Sequence, residues 1–224
     1  MNSKTPLLRR PIVSLALVFS MLMAMSHCAM AGGFASDPEF RAQADKVCAL
    51  MTGASGRIRF VLALKYPAVP TSNGVTTNTF DYKVISAQVD QKGVLQYSLS
   101  MVTSRSTKYA VSGKTDEGKS ILKTDLSVPL KDIVNVSVFH DSKLNQLQQP
   151  MEGSGLIVMQ TCHVVQISSS SLKGNEEFTS EHGKLTRRKW KGDPVTGIAY
   201  FEDEASARKL AEELNTLIAM AKKK

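Results

Sequence analysis

The sequence has few of the residues from which most catalytic and cofactor sites are built. It contains three cysteines, four histidines and one tryptophan among 224 residues. It also lacks the HExxH, GxxxxGK[ST], GxGxxG, GxSxG and CxxC motifs, which mark zinc, phosphate, dinucleotide, serine-nucleophile and redox sites. These absences favour a protein that is not an enzyme, and we predict no cofactor, no metal site and no catalytic residues.

The most apolar run of the chain is too short to cross a membrane. It extends from Ile12 to Met25, about 14 residues, whereas a spanning helix needs ~20. The overall composition, with 42% hydrophobic and 21% charged residues, is that of a globular protein. Disordered, collagen-like and polytopic membrane chains are therefore excluded.

The flanks of this run predict a secretory signal peptide. Basic residues precede it (Lys4, Arg9 and Arg10), and Ala29-Met30-Ala31 follows it with small residues at the two positions that a signal peptidase recognises. We predict a leader at residues 1–31, cleaved after Ala31, and one periplasmic or secreted domain at residues 32–224 without a transmembrane span. Cleavage removes three basic and no acidic residues, so the net charge falls from +8 to +5.

Three alternatives to a cleaved leader are open. Cys28 is a candidate for lipidation, although His27 stands where lipoprotein signals carry a small residue. The pair Arg9-Arg10 suggests a twin-arginine signal without the residues that usually surround it. An uncleaved N-terminal anchor is the third alternative, and the small residues before Gly32 count against it.

Two cysteines, Cys48 and Cys162, remain after cleavage. An even number of cysteines in an exported protein predicts a disulfide. The loop closed by this bond would stabilise the fold by roughly 3–5 kcal/mol in the chain-entropy model. The alternative is a nucleophilic Cys162 beside His163, which is disfavoured because neighbours on a strand point to opposite faces.

The mature chain predicts an α+β fold, an antiparallel β-sandwich or partly open barrel with one helix at each end. Capping residues and an apolar stripe predict an N-terminal helix from Pro38 to Met51 and a long C-terminal helix that begins near Glu204. Between them lie β-rich runs separated by turn residues. These runs are 57–62, 80–89, 94–102, 120–128, 133–139, 156–167 and 195–201, with a polar hairpin or loop pair at 172–191.

This order of elements resembles the pleckstrin-homology-like superfold of bacterial proteins, in which a C-terminal helix plugs a bent antiparallel sandwich. The resemblance covers roughly Asp125 to Ala221 and rests on Val128-Pro129-Leu130-Lys131-Asp132-Ile133 and on Gly197-Ile198-Ala199-Tyr200-Phe201 with the helix after it. The N-terminal helix and a long loop from Lys65 to Asn78 depart from that pattern. No phosphoinositide-binding basic signature is evident between the first β runs, so the resemblance indicates a fold and not a ligand.

One cluster of cations is the main candidate site. Five basic residues surround the only tryptophan, and such a cluster attracts anionic surfaces. The alternative is a solvated hairpin in which the cations pair with Glu176, Glu177 and Glu181, which precede them. The candidate binding residues are Lys184, Arg187, Arg188, Lys189, Trp190 and Lys191.

Two other patterns have weak support as sites. His140, His163 and His182 are too dispersed in sequence for an evident metal site. Ser170-Ser171-Leu172-Lys173 has the SxxK spacing of penicillin-recognising enzymes, but it lies in a serine run after a strand rather than at a helix start.

The sequence therefore predicts a non-enzymatic binding domain of the cell envelope. The expected partner is an anionic envelope component or a protein, and no nucleic acid is expected because the protein is exported. A divergent hydrolase that uses Cys162 or a serine nucleophile is the alternative. A purely structural or assembly subunit is the third hypothesis.

Overall fold

The computed structural model describes residues 34–64, 73–140, 155–191 and 195–223. The predicted signal peptide and Cys28 lie outside these residues. No helix in the described part of the chain is long and apolar enough to span a membrane.

The N-terminal helix, α1 (Pro38–Thr52), confirms the predicted span within one residue. The carboxylate of Asp37 accepts hydrogen bonds from the backbone N–H groups of Glu39 and Phe40, so it caps the helix start. The buried face carries Phe40, Ala44, Val47 and Met51.

The C-terminal helix, α2 (Glu204–Lys222), is capped by Asp203 and buries the predicted apolar stripe, which comprises Ala207, Leu210, Ala211, Leu214, Leu217 and Ile218. Its ion pairs differ from the i,i+4 pairs that the sequence suggests, Arg208 with Glu212 and Lys209 with Glu213. Arg208 instead pairs with Glu204. Glu213 faces α1, where its carboxylate is 2.6 Å from Lys46 Nζ. The hydrogen bond and charge of Lys46 lower the pKa of Glu213.

Seven antiparallel strands form the larger sheet, in the order β6-β1-β2-β3-β4-β8-β9. Their bounds are β1 (Ser55–Leu64), β2 (Gly74–Val89), β3 (Val94–Tyr109), β4 (Thr115–Pro129), β6 (Gly155–Gln160), β8 (Lys173–Thr179) and β9 (Leu185–Lys191). The hairpin between β2 and β3 turns at Gly93, which has a φ of +73°.

A second sheet of three strands has the order β10-β7-β5. It comprises β5 (Asn135–His140), β7 (His163–Ser168) and β10 (Val195–Phe201). Two short 3-10 turns, Phe34–Ser36 and Leu130–Asp132, complete the described elements. Neither sheet closes on itself among the described strands, and the α+β architecture with a helix at each end is confirmed.

Several strand predictions were wrong in their bounds, and the runs predicted at 94–102 and 120–128 extend on to Tyr109 and back to Thr115. The predicted loop from Lys65 to Asn78 is shorter, because β2 begins at Gly74 and pairs with β1 from Leu64 onward. The single run from Leu156 to Ile167 is two strands in different sheets. The chain leaves the larger sheet after Gln160 and enters the smaller sheet at His163. Thr161 and Cys162, between them, belong to neither strand.

The core lies on one face of the larger sheet, which we call its inner face. Apolar side chains near the β2–β3 hairpin, including Leu95, Tyr97 and Leu126, pack with both helices and with the smaller sheet. Alternation along β3 sends Leu95 and Tyr97 inward and Gln96 and Ser98 to the opposite, outer face. The two helices and the smaller sheet thus cover the inner face. No described helix or strand covers the outer face.

Candidate functional site: the outer face of the larger sheet

The predicted basic segment is an edge strand. β9 pairs only with β8 in the described sheet, so its other edge has no strand partner there. Neighbouring side chains on a strand point to opposite faces, and Arg187 therefore lies on the outer face while Arg188 lies on the inner face. Among the described side chains, the basic segment is therefore divided between the two faces of β9.

Both arginines are neutralised by glutamates on β8. Arg187 Nε is 3.0 Å from Glu177 Oε2, and Arg188 Nη2 is 2.7 Å from Glu176 Oε2. These two ion pairs agree with the alternative prediction, a solvated hairpin whose cations pair with the preceding glutamates. Glu181 instead lies 3.3 Å from Arg105 on β3.

The remaining candidates of the basic segment are Lys184, Lys189, Trp190 and Lys191. Lys189 is exposed on the outer face opposite Asn175, and Lys184 is exposed in the turn before β9. The backbone of Trp190 pairs with Gly174 and that of Lys191 with Lys173. The side chains of Trp190 and Lys191 lie outside the described part of the structure.

The outer face contains three depressions that follow β3. The first has a volume of about 790 Å³ and the second about 770 Å³, and both are lined by Ser98, Asp125, Asn175 and Lys189. The third, of about 550 Å³, lies farther along β3 between Ser104 and Lys119. The structure thus places a set of concavities beside Lys189, on strands that the basic segment does not include.

Small hydroxyl side chains form the floor of these depressions. Four half-buried serines of β3 point outward: Ser98, Ser100, Ser104 and Ser106. Longer side chains from the flanking strands stand beside them. In one cross-strand row, Ser100 lies between Lys83 of β2 and Lys123 of β4. We call the surface along these four serines the serine trough.

Positive charge predominates on this face. By strand register, the described side chains that point outward include nine cations and four carboxylates. The cations are Arg57, Arg59, Lys83, Lys108, Lys119, Lys123, Lys173, Arg187 and Lys189, and the carboxylates are Asp81, Glu117, Asp125 and Glu177.

Several of these cations have no acidic partner within the described residues. Arg57 pairs with Asp81 at 2.5 Å and Arg187 pairs with Glu177, but no ion pair involves the five outward lysines nearest the depressions. These are Lys83, Lys119, Lys123, Lys173 and Lys189. The sequence analysis identified only Lys189 among them, because the others lie on three different strands. The signal that could have found them is the alternation of lysine with apolar inward residues along β2 and β4.

The predicted disulfide between Cys48 and Cys162 is not formed in the structure. Cys48 lies on α1 beside the backbone of Val89, and burial followed by the charge of Asp45 raises its thiol pKa to about 11. Cys162 is fully buried with Ile58 and Val164. Cys162 thus lies in the small buried cluster, whereas Cys48 is only half-buried on α1.

The same burial argues against Cys162 as a nucleophile. Its relative exposure is 0%, and its cluster is apolar, so a substrate has no access to the sulfur. The SxxK tetrad is also not a helical turn. Leu172 is buried and Lys173 begins β8, while the Ser171 N–H donates to Ser169 Oγ at 3.2 Å in a local turn.

Two of the three histidines meet in the structure. The rings of His140 and His163 lie 4.5 Å apart on paired strands, and Thr161 Oγ1 is 3.1 Å from His140 Nε2. His182 is exposed in the β8–β9 turn, 3.8 Å from Glu181. Within the described ranges no three histidine, cysteine or acidic residues converge as metal ligands.

Comparison of the chain with protein families, with curated proteins and with solved structures finds no match. The resemblance to pleckstrin-homology-like domains therefore stays a prediction.

Proposed function

We propose that the protein is a non-enzymatic binding domain of the cell envelope, which holds an anionic envelope component on the outer face of its larger sheet. The observation that supports this most strongly is a group of five lysines on or next to the three depressions that have no acidic partner among the described residues. An ammonium group without an acidic neighbour attracts anions more effectively than one already in an ion pair. Export of the domain by its predicted leader would bring it to such a partner.

This proposal centres the binding surface on the outer face beside β3 rather than on the basic segment predicted from the sequence. Arg187 and Lys189 both line the second depression, and Lys189 also lines the first. Arg187 and Arg188 are each paired with a glutamate, whereas Lys189 has no acidic partner among the described residues. Lys189 therefore remains in the site together with Lys123, which lines the second depression, and Lys83 lies next to the site, across Ser100 from Lys123. The two arginines contribute less, because an incoming anion must compete with Glu177 and Glu176 for them.

A charge-reversal experiment tests the proposal. The variant Lys83→Glu/Lys123→Glu/Lys189→Glu reverses three lysines around the depressions. The matched control Lys92→Glu/Lys131→Glu/Lys209→Glu makes the same change in net charge at exposed sites elsewhere. Both purified variants are incubated with isolated envelope fractions, and the bound protein is measured after sedimentation.

We expect the outer-face variant to lose most of its binding and the control to keep most of it. Equal losses in both variants would show that only net charge matters. Unchanged binding in the outer-face variant would show that another surface is used. Either result would overturn the assignment.

The hydrolase alternative has no comparable support. Cys162 is buried, and the tetrad from Ser170 to Lys173 is a turn leading into a strand. Treatment of the folded protein with serine- and thiol-directed covalent probes tests this alternative. We expect no rapid stoichiometric labelling.

A further inference from the structure

We infer that the ligand of the outer face is a linear anionic polysaccharide that lies along β3. This inference rests on the proposed function and specifies the chemistry of its ligand. It is supported by the shape of the serine trough, by the groups that line it and by the residue types that are missing from it.

The shape fits an extended chain. The three depressions follow β3 from Gln96 to Ser106. At a rise of about 3.3 Å per residue, that segment is about 33 Å long. A compact small anion would fill only one of the depressions, whereas an extended polymer can contact all three.

The lining combines two kinds of contact. The hydroxyls of Ser100, Ser104 and Ser106 can donate and accept hydrogen bonds, as sugar hydroxyls do, whereas Ser98 Oγ already donates to Asp125 Oδ1 at 2.5 Å. Carboxylates also line the depressions, Asp125 the first two and Glu117 the third. Lysines stand at both sides of the floor, with Lys83 and Lys123 flanking Ser100 and Lys119 beside Ser104. A polymer with regularly spaced hydroxyl and anionic groups can match both the floor and the sides.

The residue types on this face discriminate against single-stranded nucleic acid. By strand register, no described phenylalanine, tyrosine or tryptophan side chain points outward from the larger sheet. Single-stranded nucleic acid is usually held by stacking its bases on aromatic rings. Membrane surfaces are usually engaged with aromatic or other bulky apolar side chains that enter the interface. Exposed aliphatic side chains do lie on this face, since Ile85 lines the second depression and Leu185 points outward from β9. The vesicle measurement described below therefore decides between a polysaccharide and a membrane surface.

Binding of heparin fragments, as a model sulfated linear polysaccharide, tests the inference in the full exported domain. Affinity is measured by calorimetry for fragments of increasing length. We expect affinity to rise until the fragment is about 33 Å long and then to level off, because longer chains extend beyond the trough. An oligothymidylate and phosphatidylglycerol vesicles serve as competing polyanions, and we expect both to bind more weakly.

Substitutions within the trough locate the ligand. Lys83→Gln and Lys123→Gln should each weaken heparin binding by about fivefold, as expected for one lysine near an anionic surface, and the control Lys92→Gln should not. Ser100→Ala/Ser104→Ala leaves the charge unchanged. It should weaken heparin binding but leave the salt dependence of binding as it was.

The outcomes separate this inference from the proposed function. If envelope fractions bind through Lys83, Lys123 and Lys189 but heparin does not bind, the polysaccharide assignment is wrong and the anionic site remains. Tighter binding of oligothymidylate or vesicles than of heparin also overturns the assignment. If neither heparin nor envelope fractions depend on these lysines, both proposals fail.

Discussion

The rings of Tyr82 and Tyr200 stack with their centroids 3.9 Å apart and their planes 9° from parallel. Tyr82 belongs to β2 of the larger sheet, and Tyr200 belongs to β10 of the smaller sheet. The contact therefore joins the two sheets next to the buried cluster that contains Ile58 and Cys162.

A double-mutant cycle measures this contact. Tyr82→Leu and Tyr200→Leu keep apolar volume but remove the stacked rings, so we expect a coupling of about 0.5–1.5 kcal/mol in the free energy of unfolding. Urea denaturation of the single and double variants gives the value. The pair Tyr82→Leu and Tyr109→Leu is the control and should be additive. Additivity for Tyr82 and Tyr200 would contradict the stacking contact.

The sequence was sufficient to predict the elements whose patterns are local. The apolar stripe through Leu210 and Leu214 predicted α2, and the alternation of Leu95 and Tyr97 with polar residues predicted the two faces of β3. Glu176 and Glu177 were also recognised as partners for the basic segment. These features depend on neighbours within a few residues, or on one hairpin.

Features that depend on distant strands were not predicted. The break at Thr161 and Cys162 is not evident in the sequence, because the strands on both sides of it are apolar. The two strands differ only in the sheet to which each one pairs. The row of Lys83, Ser100 and Lys123 comes from three strands, and its members meet only through the strand register. Periodicity identifies the face of a residue but not its cross-strand neighbours.

The Tyr97 hydroxyl is a buried group that finds no hydrogen-bond partner in the described structure. An unsatisfied buried hydroxyl costs about 1–3 kcal/mol. We therefore expect Tyr97→Phe to raise the free energy of unfolding at pH 7 by about that amount, as measured by urea denaturation. Tyr109 is half-buried, so Tyr109→Phe serves as the control and should change the free energy of unfolding little. A loss of stability in Tyr97→Phe would show that the hydroxyl is satisfied.

Alkaline unfolding gives a second readout for Tyr97. Burial raises its pKa above the ordinary value of 10.0, so the unfolded chain releases this proton first as the pH rises. The folded state then binds more protons than the unfolded state, and stability falls with increasing pH above about 10. We expect Tyr97→Phe to make this decline shallower. An equally steep decline in wild type and variant would contradict the assignment.

The reactivity of the two thiols distinguishes free cysteines from a disulfide. A thiol pKa of about 11 leaves roughly 100-fold less thiolate at pH 8 than the ordinary value of 9.0 does, so Cys48 should react slowly with iodoacetamide. Cys162 should react only after unfolding, because it is fully buried. Mass spectrometry of labelled, non-reduced peptides assigns each rate. A Cys48–Cys162 linked peptide would contradict the free-thiol structure and restore the prediction from sequence.

Two glycines in hairpin turns form a matched pair. Gly93 and Gly113 have positive φ angles, +73° and +66°, at which an alanine is strained by about 1–2 kcal/mol. Their surroundings differ, because a Cβ at Gly93 would lie 2.7 Å from the ring of Phe34, whereas one at Gly113 would meet no atom within 4 Å. The Phe34 ring in turn packs against Phe40 with centroids 4.6 Å apart.

We expect Gly93→Ala to destabilise the protein by at least about 1 kcal/mol more than Gly113→Ala, because overpacking is added to the same backbone strain. Urea denaturation of both variants measures the difference. In a Phe34→Ala background the two glycine variants should cost nearly the same, since the overpacked ring is gone. A difference that persists without the Phe34 ring would show that the strain at Gly93 comes from the turn backbone rather than from the contact with Phe34.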